Sequence, residues 1–228
     1  MIGPVMIGPS SSHTGAVVRI GRCGRQLLGE PVKEAIVTFY NSFARTFEGH
    51  GSDRAVLGGL MDFKPDDSRI KEGRKLAEEA GIDFTFKAVP NASDLHPNAI
   101  RLQLTGAQQH VEVLGVSRGG GLISIREIDG FACNFNGQSD TLVITARDVS
   151  GSVAFLSSII AHEECNIATM TVSRSARNDI AKLVLELDST PRPLTVDYIR
   201  SVRWVHQVIY LPEPAEWDAT AAEKNEKG

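Results

Sequence analysis

The order of hydrophobic patterns after residue 140 is the feature that most limits the folds open to this chain. Periodicity predicts six elements there: strands Thr141–Ala146, Ile167–Ser173, Ile180–Leu187 and Val205–Leu211, and helices Ser152–Glu164 and Thr195–Val202. Their strand–helix–strand–strand–helix–strand order is that of the ferredoxin-like βαββαβ motif. We therefore expect a ferredoxin-like unit in the second part of the chain.

The first part of the chain predicts a second α+β unit with a different element order. Its periodicity predicts helices Ala16–Leu28, Asp53–Met61 and Ser68–Ala80, and strands Val32–Tyr40, Ile82–Val89, Ala99–Thr105, His110–Ser117 and Leu122–Ile128. Because helices come early and four strand candidates follow in sequence, we expect an antiparallel sheet.

Residues 129–140 are polar, glycine-bearing and aperiodic, which is typical of a boundary between domains. We expect one domain over residues 1–133, a linker over 134–139 and a second domain over 140–212. The chain from Pro212 onward is charged and bears prolines at its start, and the tail 213–228 is expected to be disordered.

The composition excludes several classes of protein. The net charge of −4 gives no basic surface for nucleic acid, and no apolar run approaches the ~18 residues that cross a bilayer. We expect neither a nucleic-acid nor a membrane partner, and no secretory leader. Three widely spaced cysteines argue against a disulfide scaffold and favour a reducing compartment, so we expect a cytoplasmic protein.

A run of hydroxyls and one imidazole, Ser11, Ser12, His13 and Thr14, stands before a predicted helix start near Gly15. Amides at a helix start lack intrahelical acceptors and, with the helix dipole, attract an anion such as a carboxylate. The simpler alternative is that Ser12 or Thr14 caps the helix while His13 is solvated. The residues alone leave both interpretations open.

Three more polar clusters accompany this run: His50 between two glycines, His96 with Asn98 before a strand, and the consecutive Gly119, Gly120 and Gly121. Glycines let a backbone approach a ligand closely or expose its amides, although turns are the commoner use. The glycine run fits neither a dinucleotide fingerprint nor a P-loop. Asp53 is predicted to cap the following helix.

Four segments together resemble the β subunit of bacterial iron-sulfur-dependent L-serine dehydratase: IGPVMIGPSSSHTGAVVRIG, GHGSDRAVLGGLMDF, HPNAIRLQL and RGGGLISIREIDGF. The resemblance covers the chain to about Pro212. It implies an allosteric-substrate-binding-type domain followed by an ACT domain. It also implies that this chain is one subunit of an L-serine ammonia-lyase of amino-acid catabolism and gluconeogenesis. Family members usually have residues before the first Ile-Gly-Pro that form a strand, so a truncated or misassigned start stays open for Met1.

The resemblance implies that a partner α subunit carries a [4Fe-4S] cluster, and that L-serine is converted to pyruvate and ammonia at a shared site. Cys23, Cys133 and Cys165 are too dispersed to ligate that cluster, and no histidine pair has metal spacing, so we expect no metal ligand in this chain.

The resemblance also assigns roles to individual residues. His13 is the catalytic candidate, for binding substrate or for moving a proton. The substrate-binding candidates are Ser11, Ser12, Thr14, His50, His96, Asn98, Gly119, Gly120 and Gly121.

In the ACT-like part, Asp148, Gly151 and Asn166 are the candidates for contacts with an amino-acid effector, L-serine among them. Ser150 and Val149 depart from the usual Asp-Arg-Pro-Gly turn, and a plain strand-to-helix turn is the alternative. The resemblance implies a homodimer formed through ACT domains. A different class of function also stays open, namely a non-catalytic amino-acid-sensing module like that of some 3-phosphoglycerate dehydrogenases.

Overall fold

A computed structural model describes residues 11–214, and their packing divides the chain between Gly130 and Phe131. The first unit contains α1 (Ser11–Leu28), β1 (Glu34–Tyr40), α2 (Asn41–Thr46), α3 (Ser52–Leu60), a 3-10 turn (Ser68–Glu72), α4 (Gly73–Glu79), β2 (Asp83–Val89), β3 (Ala99–Thr105), β4 (His110–Gly119) and β5 (Leu122–Ile128). Residues 1–10, which were expected to begin the first domain, and the tail after Pro214, which was expected to be disordered, lie outside the described residues.

The strands of the first unit lie in the order β2-β1-β3-β4-β5. All neighbouring pairs are antiparallel except β1 and β2, which are parallel, so the expectation of an antiparallel sheet was wrong at this edge. A parallel pair needs a long crossover, and the helical segments between β1 and β2 supply it.

Helix α1 packs against one face of this sheet along a buried apolar stripe. Ile20 lies against Gly115 of β4, and Gly24 lies against Leu102 and Leu104 of β3. Burying such a stripe supplies the main favourable free energy for holding a helix on a sheet. This contact fixes the direction of α1, whose beginning points toward the end of β4.

The opposite face carries a smaller apolar cluster and an ion-pair network. Arg101 on β3 bonds to Glu112 on β4, and its Nη1 lies 2.7 Å from Glu127 on β5. Burial lowers the pKa of Arg101, but Glu127, Tyr40 and Glu112 outweigh burial and raise it. These pairs hold three neighbouring strands in register.

The second unit contains β6 (Phe131–Phe135), β7 (Asp140–Arg147), α5 (Ser152–His162), β8 (Ile167–Arg174), β9 (Ile180–Leu187), α6 (Pro193–Ser201) and β10 (Val205–Leu211). The predicted βαββαβ order is confirmed from β7 to β10, with sheet order β10-β7-β9-β8 and antiparallel neighbours. Its core is formed by the inner strand residues with Leu156 and Ile160 of α5 and Val196 and Ile199 of α6.

Strand β6 occupies part of the segment that was predicted to be aperiodic and to contain the linker. Cys133 and Phe135 are buried, Phe131 is half-buried and the residues between them are exposed, which is strand alternation. The interpretation of 129–140 as irregular was therefore wrong for these five residues. Their polar neighbours masked a short period-2 pattern.

Candidate functional site

The strand register of the first unit brings several of its loops to one end of the sheet. Ala99 at the start of β3 pairs with Val116 near the end of β4, and Ile100 pairs with Phe39 near the end of β1. The segment that precedes β3 and the turn that joins β4 to β5 therefore share this end. We call it the loop end of the first unit.

The three consecutive glycines form the β4–β5 turn at the loop end. Their φ angles are +83°, +60° and +79°, a region that other residues rarely adopt. Arg19 of α1 is buried, and its Nη1 donates to the Gly121 carbonyl oxygen at 2.6 Å. A Cβ at Gly121 would lie 2.5 Å from that nitrogen, so the missing side chain lets the guanidinium reach the turn.

The serine-rich run lies in the first turn of α1 instead of in a loop before it. The helix begins at Ser11, so the predicted start near Gly15 was wrong by about one turn. Serine and threonine suit helix starts because their oxygens can satisfy free amides, which explains the early start. The side chains of Ser11, Ser12 and His13 lie outside the described residues, and their roles stay predictions.

Thr14 links α1 to the turn that contains His50. Its hydroxyl donates to the His50 carbonyl oxygen over 3.5 Å, which is the long limit of a hydrogen bond. His50 itself is exposed, and its amide donates to the Thr46 carbonyl oxygen at 3.0 Å. The His50 imidazole is thus free to reach solvent beside the start of α1.

Asp53 does not cap α3, contrary to prediction, because Gly51 occupies the cap position without a side-chain hydrogen bond. The Asp53 carboxylate is buried, and its Oδ2 accepts a hydrogen bond from Arg74 Nε at 2.5 Å. This ion pair ties α3 to α4 beneath the turn of His50. The start of a helix favours a negative charge, so the position of this carboxylate in the first turn of α3 suits a structural role.

His96 and Asn98 lie at the loop end, directly before β3. The Asn98 amide donates to His96 Nδ1 at 3.1 Å, which assigns the proton of the neutral ring to Nε2. Burial and the positive charges of Arg118 and Arg126 lower the pKa of His96. The ring is therefore mainly neutral at pH 7, and its Nε2–H group can donate a hydrogen bond.

Asn41 holds the segment of His96 in place, and the sequence analysis missed it. Its side chain accepts from the Ala92 amide at 2.7 Å and donates to the carbonyl oxygens of Ala92 and Leu95, both at 2.9 Å. Asn41 also has a φ of +50°, which asparagine tolerates better than most residues. An asparagine between a strand and a helix was the available signal.

The three effector candidates of the second unit bond within their own chain. Asp148 accepts from Arg174 Nη1 and from the Asn178 amide, both at 3.1 Å. The bond from Asn178, together with the bond and the positive charge of Arg174, holds the pKa of Asp148 below its usual value. Gly151 is the helix cap of α5, with φ +82°. Asn166 donates to Asp188 at 2.6 Å.

The register also separates these candidates. Because β7 and β8 both run antiparallel to β9, Asp148 after β7 and Asn166 before β8 lie at opposite ends of the sheet. Within one copy of the chain they therefore do not converge on one ligand.

The described residues contain no group of three or more His, Cys, Asp or Glu side chains arranged to hold a metal ion. Cys23, Cys133 and Cys165 are buried, form no disulfide and do not converge as a group of three. These residues do not fit an iron–sulfur cluster, which needs several thiolates at one point. Between residues 11 and 214, no helix is long and apolar enough to span a membrane.

Comparisons with known proteins agree with the sequence resemblance. The family model "serine dehydratase beta chain" matches residues 2–127. A probable L-serine dehydratase beta chain of Bacillus subtilis is 40% identical over 93% of this chain and 96% of that protein. The L-serine dehydratase beta chain of Peptoniphilus asaccharolyticus is 34% identical over 86% of this chain and 87% of that protein.

Two other similarities are more distant. The D-3-phosphoglycerate dehydrogenase of Bacillus subtilis is 27% identical over 75% of this chain but only 32% of that protein. A solved ACT domain from the GTP pyrophosphokinase of Chlorobium tepidum aligns with 32% of this chain and 95% of its own at 21% identity, and its TM-score of 0.27 is too low to establish a fold. The family model and the two beta chains do establish a family, and the chain belongs to that of the serine dehydratase beta chains.

Proposed function

We propose that this chain is the β subunit of an iron-sulfur-dependent L-serine dehydratase, which converts L-serine to pyruvate and ammonia. The observation that carries the proposal is the 40% identity to a probable L-serine dehydratase beta chain along nearly the whole of both chains. The geometry supports it, because the polar clusters of the first unit, far apart in sequence, gather at its loop end.

The loop end offers the kinds of group that hold a small amino acid. The first turn of α1 supplies backbone amides for a carboxylate, and the Nε2–H group of the neutral His96 ring can donate a hydrogen bond. His13 is the proposed catalytic residue. The proposed substrate-binding residues are Ser11, Ser12, Thr14, His50, His96, Asn98, Gly119, Gly120 and Gly121.

The [4Fe-4S] cluster is proposed for the partner α subunit. Two observations support this assignment: the three cysteines of this chain are buried apart, and the described residues form no metal-binding group. The role of this chain is therefore to bind and orient the substrate and to move a proton at its own histidines. A cytoplasmic location is also proposed, because three widely spaced cysteines are not the pattern of a disulfide-stabilised secreted protein.

The second unit is proposed to be an ACT domain that senses an amino acid, L-serine being the first candidate, and that pairs with a second copy. Its support is the βαββαβ order with sheet order β10-β7-β9-β8. Since Asp148 and Asn166 lie at opposite ends of one sheet, an effector could touch both only if two copies contributed one residue each.

Reconstitution tests the catalytic proposal. The purified chain is mixed under argon with its iron–sulfur partner subunit, and pyruvate formed from L-serine is measured. Activity that requires both chains is expected, and His13→Ala is expected to lower kcat strongly while the circular dichroism spectrum stays unchanged. Full activity of the partner subunit alone would refute the proposal.

The similarity to D-3-phosphoglycerate dehydrogenase favours a second candidate, a non-catalytic amino-acid-sensing module. That candidate predicts that the chain binds L-serine but adds no turnover when the partner is supplied. Isothermal titration of the chain alone, run beside the reconstitution assay, separates the two candidates.

A further inference from the structure

Helix α5 has an unusual surface for a helix on the outside of a unit. It contains no Asp, Glu, Lys or Arg between Ser152 and His162, and only Leu156 and Ile160 are buried. A surface helix normally carries charged residues on the face that it turns to water. The outer face of α5 therefore resembles a surface that another segment covers.

A groove of about 510 Å³ lies between α5 and α6, and we call it the α5–α6 groove. Its apolar lining comes from Phe155 and Ile159 of α5 and from Leu194 and Tyr198 of α6. Leu194 is 79% exposed and Tyr198 is 53% exposed, which is high for large apolar side chains. The groove is an apolar surface with room for an aromatic side chain.

One edge of the groove is fixed by a saturated ion pair. Glu163 accepts from Arg192 through two bonds of 2.6 Å each, and also from the Thr195 hydroxyl. Because the Glu163 carboxylate already accepts these hydrogen bonds, it needs no polar ligand. The groove is therefore suited to an apolar occupant with charge only at its rim.

The chain leaves the described structure near the β9–α6 connection, which leads into one wall of the groove. The buried carboxylate of Asp140 accepts from the Glu213 amide at 3.2 Å and from the Thr190 hydroxyl at 2.9 Å, so the exit of the chain lies against the β9–α6 connection. Thr190 precedes Leu194 by four residues. The described chain thus ends near the connection that leads into α6.

We propose that residues 215–228 dock on the α5–α6 groove, with Trp217 as the anchor. Trp217 is the one large apolar residue of that segment, and it follows Pro214 by three residues, a span of up to about 10 Å. A docked tryptophan buries roughly 150–250 Å² and would cover Leu194 and Tyr198.

The charge of the tail and its short covalent tether both support this occupant. Glu216 and Asp218 flank the anchor and suit the start of α6, where the helix dipole is positive. A charged, alanine-rich tail cannot form a core of its own, but a short tether gives its anchor a high effective concentration at the groove.

Quenching of Trp217 fluorescence tests the proposal in the full chain. Trp204→Phe removes the other tryptophan and keeps an aromatic ring beside Phe155. In that background we expect blue-shifted emission and a quenching constant for acrylamide several-fold below that of an exposed tryptophan. Leu194→Glu should restore full quenching. The control Val172→Glu places the same charge at a 48% exposed residue of β8 and should change nothing.

Two outcomes would overturn the proposal: a fully quenched Trp217 in the starting chain, or an equal response to Leu194→Glu and Val172→Glu. If Leu194→Glu instead lowers the mass measured by light scattering while Trp217 stays quenched throughout, the groove binds a second copy. A chain ending at Pro214 gives a measurement that does not depend on Trp204→Phe. It should bind more of an apolar fluorescent dye than the full chain, and equal dye binding would also refute docking.

Discussion

Gly59→Ala is the substitution for which the structure gives the most direct expectation. Helices α1 and α3 cross where Gly21 and Gly59 face each other. A Cβ at residue 59 would lie 2.2 Å from the Val18 carbonyl oxygen and 2.9 Å from the Arg22 amide nitrogen. Both atoms belong to the backbone of α1, so no side-chain rotation can relieve the overlap, and the two helices must move apart.

The magnitude follows from that displacement. Ordinary contact begins at 3.4 Å, so the helices must separate by about 1 Å across a buried surface, and overpacking of this kind costs roughly 1–3 kcal/mol or more. Alanine returns about 1 kcal/mol through its higher helix propensity. Because both overlapping atoms belong to the backbone, the cost lies at the upper end of that range, about 3 kcal/mol, and we expect Gly59→Ala to lower the free energy of unfolding by about 2 kcal/mol.

Gly58→Ala is the matched control in the same helix. Its Cβ would meet Ile70 Cγ1 at 3.1 Å, a side-chain atom that can move, so the gain in helix propensity and the contact should cancel to within about 0.5 kcal/mol. Urea unfolding followed by circular dichroism compares the two variants. Equal midpoints would refute the close-approach argument. Because α1 and α3 both begin at the proposed site, Gly59→Ala should also raise the KM for L-serine in the reconstituted enzyme.

Three further expectations rest on single contacts. Gly121→Ala should destabilise the chain by about 2 kcal/mol more than Gly120→Ala, because both add strain at positive φ but only the first breaks a buried guanidinium bond; equal urea midpoints would contradict this. Burial and Asp140 raise the pKa of Tyr210 to about 12, so the stability it contributes is present below pH 10 and is lost as pH rises toward 12. Asp140→Asn should therefore lower the Tyr210 pKa in a tyrosinate absorbance titration. Hydrogen bonds from Arg192 and Thr195 lower the pKa of Glu163 to about 2, so the stability that Glu163 contributes is present above pH 4.5 and is lost as pH falls toward 2. Glu163→Gln should remove that part of the acid dependence of unfolding, and an unchanged dependence of unfolding on pH would refute the expectation.

Elements whose hydrophobic pattern stands between clear turn residues were predictable from the sequence. The bounds of β3, β5, β9 and β10 agree with the prediction at every residue. Apolar residues alternate in β3 and form a nearly continuous run in β9, and glycine, proline or charged residues end each run. Helix starts were less predictable, because Ser11–Thr14 fits a loop as well as it fits a first helical turn.

Other features could not be read locally because they depend on tertiary contacts. The helix predicted over residues 68–80 is divided into a 3-10 turn and α4 at Gly73, where a Cβ would lie 2.4 Å from the Arg54 carbonyl oxygen. The roles of Asn41 and Arg19 also depend on partners 51 and 102 residues away in the chain. No local pattern specifies contacts at such separations.

The same long-range contacts explain why the sequence indicated the individual site residues but not their arrangement in the fold. His50, His96 and the glycine turn are each ordinary features of loops when they are considered singly. They lie toward the same end of the sheet because α1 runs antiparallel to β4, which places the helix start, the entrance of β3 and the β4–β5 turn at that end. That end gathers donors, acceptors and a neutral imidazole, but the described residues around it offer no metal-binding cluster. Donors and acceptors that share one end of a sheet are what the proposed substrate-binding role of this end requires.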